Sequence, residues 1–113
     1  MNTLTAALRT DLVPKALLDP VVAYFHPRRV YLFGSRARGD HHADSDHDLL
    51  VVLDDDAPDE MFGWRAGYEA SKSYRGAADV IPCHADWFRR HAGICGTLAY
   101  AAVTEGTMVY ERS

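Results

Sequence analysis

A short segment near the middle of the 113-residue chain combines residue types that bind phosphate with residue types that bind metal ions. It begins with Gly34-Ser35, continues through Arg36 and Arg38, and reaches Asp46-His47-Asp48 at the start of an apolar run. Glycine permits close approach of the backbone to a ligand, a helical turn offers N–H groups to an anion, and a guanidinium neutralises phosphate. The combination predicts transfer of a nucleotide from a triphosphate.

The two carboxylates of this segment stand at the beginning of a predicted buried strand. Leu49 to Leu53 is an unbroken apolar run, which is typical of a strand covered on both faces. Because side chains alternate along a strand, Asp46 and Asp48 share one face and His47 points away. Neighbouring carboxylates resist joint ionisation unless cations lie between them. The pair is therefore predicted to share two metal ions about 3.5–4 Å apart, and Mg²⁺ suits such oxygen ligands.

Further strands are predicted on both sides of this segment. Arg29–Phe33 is rich in apolar and aromatic residues and leads directly into the Gly-Ser turn. A third strand is predicted from about Ala78 to Pro82, and a last short strand after Gly106 is predicted as an edge. The expected fold class is α/β, with a small mixed sheet and helices packed mainly on one side. The chain is expected to form a single domain over residues 1–113.

Helices are predicted where apolar residues recur at helical spacing. One is expected over Leu4–Leu12, and the next contains Leu17–Phe25, with Asp19-Pro20 as its cap and first turn. The segment Asp59–Ser73 is expected to be helical, with Met61, Trp64 and Tyr68 along one side. One or two further helices are predicted to close the fold before Gly106.

The Gly34-Ser35 turn followed at this spacing by Asp46-His47-Asp48 resembles the nucleotidyltransferase superfamily that includes DNA polymerase β. The resemblance is closest to its small stand-alone branch, the minimal nucleotidyltransferases, which carry Arg-Ala-Arg-Gly between the two motifs. A third family carboxylate normally lies on a later strand, and the resemblance assigns it to Asp79, just before an apolar segment. The fold implied is the polymerase β-like nucleotidyltransferase fold.

The resemblance also implies ligands and roles. The metal ions would be two Mg²⁺, with Mn²⁺ as an alternative, and the nucleotide substrate would be ATP. The residues implied in catalysis and metal binding are Asp46, Asp48 and Asp79. The residues implied in holding the triphosphate are Gly34 and Ser35, assisted by Arg36 or Arg38.

The partner implied by the resemblance is a protein. Minimal nucleotidyltransferases lack an acceptor-binding domain and typically occur beside a small helical HEPN protein, usually a ribonuclease toxin. The resemblance therefore implies a protein adenylyltransferase that moves AMP from ATP to a tyrosine of a HEPN-type toxin, as the antitoxin of a hetero-oligomer. Two alternatives stay open: nucleotidyl transfer to a small-molecule hydroxyl, as in antibiotic-modifying relatives, and a non-catalytic antitoxin that acts by binding alone.

Composition argues against several other classes of protein. The formal net charge of −4 disfavours an extended nucleic-acid-binding face, which needs clustered Lys and Arg. Without a signal peptide or a long apolar run, the expected location is cytoplasmic, with no membrane association. The spacing of His41, His42 and His47 matches no zinc framework, and Cys83 and Cys95 are expected to be reduced thiols.

Overall fold

The structure is a computed structural model that describes residues 8–112. Its strands are β1 (Arg29–Phe33), β2 (His47–Leu53), β3 (Ala78–His84) and β4 (Thr107–Glu111). They form one sheet in the order β3-β2-β1-β4. β1 is antiparallel to both β2 and β4, while β2 and β3 are parallel. The predicted α/β class and mixed sheet are confirmed, and β4 lies at an edge of the sheet as expected.

The described helices lie before, between and after these strands. They are α1 (Lys15–Phe25), α2 (Ser35–Arg38), α3 (Trp64–Ser71), α4 (Ala85–His91) and α5 (Leu98–Thr104). Single turns of 3-10 helix occur at Thr10–Leu12 and Asp59–Met61. Within residues 8–112 no helix has both the length and the apolar character needed to cross a membrane.

The central strand β2 organises two apolar layers. Its side chains from Leu49 to Leu53 are all buried, as the unbroken apolar run predicts. Alternate side chains enter opposite layers. Leu49, Val51 and Leu53 pack with the longer helices α1 and α3. Leu50 and Val52 pack with the short helices α4 and α5.

Helix α1 begins earlier than the sequence suggests. Pro14 occupies its N-cap position, and Pro20 lies inside the helix, so the prediction that Asp19-Pro20 starts a helix is wrong. A proline at this position removes one intrahelical hydrogen bond, because it has no backbone N–H. Burial on both sides of the proline offsets that loss, since Leu17, Val21 and Phe25 share one buried stripe. A continuous packed face therefore overrides the local proline signal.

The helix predicted over Leu4–Leu12 falls partly outside the described residues. Residues 4–7 are not described, and Leu8 is exposed. The remaining part contains only the 3-10 turn at Thr10–Leu12. This turn lies against β4, because the Arg9 N–H donates to the Met108 carbonyl over 3.2 Å.

Helix α3 is shorter than predicted and packs through a different side. The predicted helix from Asp59 is interrupted before Trp64, where Gly63 has a φ of +108°. Trp64 and Tyr68 are 76% and 59% exposed, so the side marked by these aromatic residues is not the packed one. The buried positions of α3 are Ala66, Gly67 and Ala70. Small side chains allow close packing, and a Cβ at position 67 would overlap the Val80 carbonyl oxygen of β3.

The end of the sheet away from the Gly-Ser turn is tied together by Asp54, which directly follows β2. Its carboxylate accepts a hydrogen bond from the Arg112 guanidinium over 3.0 Å and lies 3.6 Å from Arg28. Arg112 also donates to the His26 carbonyl. The hydrogen bond from Arg112 holds the pKa of Asp54 below its ordinary value, and the charge of Arg28 adds to this effect.

Candidate active site

The predicted Gly-Ser turn lies at the end of β1 and touches the carboxylate-bearing strand. Gly34 turns the chain into α2 with a φ of +78°, a conformation that favours glycine. A Cβ at this position would overlap Oδ2 of Asp48. Ser35 is the first residue of α2 and is half-buried beside this contact. The turn is therefore packed directly against one of the predicted catalytic side chains.

The sheet register brings two of the three predicted carboxylates side by side. Asp48 in β2 pairs with Phe33 of β1 on one side and with Asp79 of β3 on the other. Neighbouring strands lie about 4.8 Å apart, so paired residues have adjacent side chains. Asp46 directly precedes β2, two residues before Asp48. Asp48 is half-buried, whereas Asp46 and Asp79 are exposed.

Asp48 is the carboxylate on which the neighbouring charges of the candidate site act most clearly. Burial raises the pKa of Asp48 above its ordinary value, and the carboxylates of Asp79 and Asp46 raise it further. The positive charge of Arg38 opposes this rise. The carboxylates are thus close enough to interact, and both burial and neighbouring negative charge oppose ionisation of Asp48, an effect that a bound cation would offset.

The donor chemistry of these carboxylates fits a hard divalent cation. Asp48 and Asp79 supply oxygen ligands from adjacent strands, and Asp46 adds a third carboxylate nearby. Mg²⁺ is commonly bound by one or two carboxylates together with phosphates of the substrate. Within the described part of the chain, no three acidic, histidine or cysteine side chains form a complete metal-binding group by themselves. A bound triphosphate would therefore be expected to supply part of the ligand set.

The Arg36 side chain is hydrogen-bonded to the loop that leads to Asp46. Its Nε donates to the Ser45 carbonyl over 2.9 Å, and its terminal nitrogen donates to the carbonyls of Ala43 and His42 over 3.2 and 3.4 Å. These three contacts connect α2 to the backbone just before the first carboxylate. Arg36 therefore holds the loop in place, and its guanidinium is less available to a phosphate.

Arg38 has the more accessible guanidinium of the two predicted phosphate-binding arginines. It lies 3.3 Å from Asp40 and 3.6 Å from Glu105, and its side chain is 46% exposed. Exposed ion pairs of this kind contribute little free energy, so little is lost when the guanidinium leaves them for another anion. Arg38 is also the cation that acts on Asp48, as its effect on the pKa of that residue indicates.

The histidines near the motif have different surroundings. His47 is buried on the opposite face of β2 from Asp48, with its ring edge-on to Tyr74 at 6.3 Å between centroids. Burial lowers the pKa of His47, and the positive charges of Arg36 and His41 lower it further. His42 instead receives a hydrogen bond from the Asp44 N–H and lies in the exposed loop.

A groove beside the third carboxylate was not anticipated from the sequence. We call it the α3–β3 groove; it has a volume of about 310 Å³ and lies between exposed side chains of α3 and the outer side of β3. Its principal lining residues are Trp64, Tyr68, Ser71, Asp79 and Ile81. The sequence signal that marks it is Trp64 and Tyr68 at i and i+4 around Gly67. Gly67, between them in sequence, is the point at which α3 approaches the β3 backbone.

The family of the chain is shown by its sequence. Residues 11–93 match the family model of the nucleotidyltransferase domain, which covers most of the chain. The chain belongs to the nucleotidyltransferase domain family. The match contains the Gly-Ser turn and the three predicted carboxylates, and it confirms the predicted resemblance to nucleotidyltransferases. A search of curated proteins gave no significant match.

Solved structures share the fold of this nucleotidyltransferase domain. A Sulfolobus solfataricus protein provisionally classed as a nucleotidyltransferase is 26% identical, with a TM-score of 0.57 over 91% of this chain and 80% of that one. A toxin–antitoxin structure with AMP-PNP is 20% identical, with a TM-score of 0.58 over 94% and 76% of the two chains. A mutant of the toxin–antitoxin pair MntA-HpeT is 16% identical, with a TM-score of 0.59 over 89% and 76%.

Proposed function

We propose that this nucleotidyltransferase domain is a Mg²⁺-dependent protein adenylyltransferase that moves AMP from ATP to a tyrosine of a HEPN-type toxin. It would act as the antitoxin of that toxin within a hetero-oligomer. The observation that carries the proposal is that Asp48, the register partner of Asp79, lies against the Gly34 turn. In this member of the nucleotidyltransferase family, acidic side chains thus lie beside a glycine turn of the kind that binds phosphate.

The triphosphate is proposed to lie along the turn that follows β1. Gly34 allows the backbone to approach the phosphates, the Ser35 hydroxyl donates to a phosphate oxygen, and Arg38 neutralises phosphate charge. Arg36 contributes indirectly, because it fixes the loop that ends at Asp46. Mn²⁺ is the alternative to Mg²⁺ at the carboxylates. Bound divalent ions would supply charge neutralisation at the α-phosphate and at the departing pyrophosphate.

The acceptor hydroxyl is proposed to approach from the side of Asp79. Its oxygen attacks the α-phosphorus, the bond from that phosphorus to the oxygen bridging the β-phosphate breaks, and pyrophosphate leaves. The hydroxyl proton passes to the Asp79 carboxylate, which is exposed and can receive it. Asp46 and Asp48 would hold the divalent cations, whose charge would orient the α-phosphate.

The proposal that the acceptor is a toxin is supported by the family resemblance and by two of the solved structures that share this fold. Two neighbours are toxin–antitoxin structures, one of them with AMP-PNP, which is an analogue of ATP. The net charge of −4 also disfavours a nucleic-acid acceptor, whose phosphates would be repelled.

The proposal can be tested with the protein encoded beside this chain. The two proteins are incubated with ATP and Mg²⁺, and the partner is weighed by intact mass spectrometry. We expect a gain of one AMP mass or a small multiple, lost when Mg²⁺ is chelated. Fragment-ion spectra should locate the AMP on a tyrosine, and the modified toxin should stay inactive after this chain is removed.

Two results would favour other functions. If the partner keeps its mass and is inhibited only while the two proteins stay bound, the chain acts as a binding antitoxin. If the partner keeps its mass while pyrophosphate is released in the presence of a small hydroxyl compound, the acceptor is a small molecule.

A further inference from the structure

The α3–β3 groove joins the candidate active site to an exposed aromatic surface. Asp79 lines one side of the groove, and it is also the register partner of Asp48. The opposite side is formed by Trp64 and Tyr68, which lie one helical turn apart and are 76% and 59% exposed. Two large exposed aromatic side chains beside a reacting carboxylate are unusual on a surface that binds nothing.

We propose that the α3–β3 groove docks the acceptor segment of the partner protein and receives the tyrosine that is modified. This inference rests on the proposed function and adds the place and the chemistry of acceptor binding. The aromatic ring of the acceptor would lie against Trp64 and Tyr68, and its hydroxyl would reach Asp79. A phenol suits this groove because one end of it is apolar and the other can donate a hydrogen bond to a carboxylate.

The dimensions of the groove fit a polypeptide. Consecutive β3 residues from Ala78 to Pro82 line it, and five strand residues span about 16 Å. On the helical side, Trp64 and Ser71 are seven residues apart, which corresponds to about 10 Å. A groove of this length accommodates several residues of an extended segment.

The order of the strands separates the groove from the proposed triphosphate site. Gly34 follows β1, Asp48 lies on β2, and the groove lies beyond β3. The phosphates and the acceptor would thus approach Asp48 from opposite sides. This arrangement favours the acceptor over the nucleoside as the occupant of the groove, because attack on the α-phosphorus proceeds from the side opposite the departing pyrophosphate.

The first test compares Trp64→Ala with Val103→Ser, which replaces an exposed apolar residue of α5 outside the groove. Transfer to the partner is measured at varied partner and varied ATP concentrations. We expect Trp64→Ala to raise the partner concentration for half-maximal transfer about tenfold or more. The ATP concentration for half-maximal transfer should change less than about twofold. Val103→Ser should match the wild type in both.

Two results would overturn the proposal. A rise in the half-maximal ATP concentration without a rise for the partner would place the nucleoside in the groove. Unchanged values for both substrates would show that the groove takes no part in transfer.

The second test does not require transfer. The chain has two tryptophans, so Trp87→Phe leaves Trp64 as the sole tryptophan reporter, and Trp64→Phe leaves Trp87 as the control. Adding the partner without ATP should shift the emission of Trp64, while Mg²⁺ and ATP without the partner should not. If wild-type chain leaves the mass of the partner unchanged, the proposed function fails, and this emission shift still decides whether the groove docks the partner. An unshifted Trp64 in the presence of bound partner would overturn the docking surface.

Discussion

Asp48 and Asp79 are direct register partners across the parallel pair of β2 and β3. Residues 31 positions apart in the chain are therefore held side by side by backbone hydrogen bonds and not by flexible loops. The burial and the neighbouring carboxylates that raise the pKa of Asp48 also make the site receptive to a divalent cation.

Removal of the central carboxylate should separate catalysis from folding. We expect Asp48→Asn to lower the transfer rate about 100-fold or more, since metal stabilisation of a transition state is worth several kcal/mol. Added Mg²⁺ should raise the melting temperature of the wild type by mass action, and not that of the variant. The control is Asp56→Asn in an exposed loop, which should behave like the wild type in both measurements. Equal Mg²⁺ stabilisation of Asp48→Asn would contradict the metal site.

The importance of the contact between Gly34 and Asp48 can be measured by substituting two glycines. Gly34 and Gly39 both have positive φ, +78° and +89°, so alanine is strained at each position by about 1 kcal/mol or more. Only at Gly34 would the new Cβ overlap Asp48, because nothing lies within 4 Å of a Cβ at Gly39. Gly34→Ala should therefore lower activity much more than Gly39→Ala for a comparable loss of stability in urea denaturation. Equal activities would show that the contact is unimportant.

The two arginines of the turn should have different effects. Arg36→Ala removes three hydrogen bonds to loop carbonyls, so it should lower both thermal stability and transfer rate. Arg38→Ala should leave the melting temperature nearly unchanged and raise the ATP concentration for half-maximal transfer, because its ion pairs are exposed. Melting curves and ATP titrations of the two variants are compared directly. The reverse assignment would make Arg36 the phosphate-binding residue.

Asp54 should contribute to the free energy of unfolding in a pH-dependent way, without affecting the transfer rate. Its pKa is lowered in the folded chain, so its contribution is present above its ordinary pKa and is lost as the pH falls through the lowered value. Because the carboxylate is 40% exposed, the loss in Asp54→Asn at neutral pH should stay below about 1 kcal/mol. Urea denaturation from pH 7 to acid checks this. The wild-type advantage should shrink as the pH falls, and transfer at neutral pH should not change.

The two thiols should differ in reactivity. Burial raises the pKa of Cys83 to about 12, so at pH 8 its reactive thiolate form is scarce. Cys95 is exposed. A thiol reagent at pH 8 should therefore titrate one group per chain rapidly and a second only after unfolding. Cys95→Ser should abolish the rapid phase, and a persisting rapid phase would contradict the burial of Cys83.

The central strands and the motif turn could be predicted because local patterns and packing agree there. Arg29–Phe33 forms β1 with the predicted bounds, and the apolar run after Asp48 forms the buried part of β2. The turn at Gly34 follows β1 directly, as predicted. An apolar strand covered on both faces leaves few alternative conformations, and a glycine between a strand and polar residues marks its end.

Features that depend on distant contacts could not be predicted. The burial of α1 on both sides of Pro20 is a tertiary effect, and the sequence pattern alone suggested a helix start there. Trp64 and Tyr68 were expected to mark one side of α3, but the packed side is set by how closely Gly67 approaches Val80. The contacts of Arg36 depend on the path of the loop, which no local pattern encodes.

The close approach of Gly67 to the Val80 carbonyl has a consequence for self-association. It brings α3 against the β3 backbone at Val80, and on the other outermost strand the Arg9 N–H donates to the Met108 carbonyl of β4. Strand-by-strand extension of a sheet needs free edge groups along its outermost strands. Each outermost strand thus has a point at which the chain itself lies against its backbone, and a strand added there would have to displace that contact.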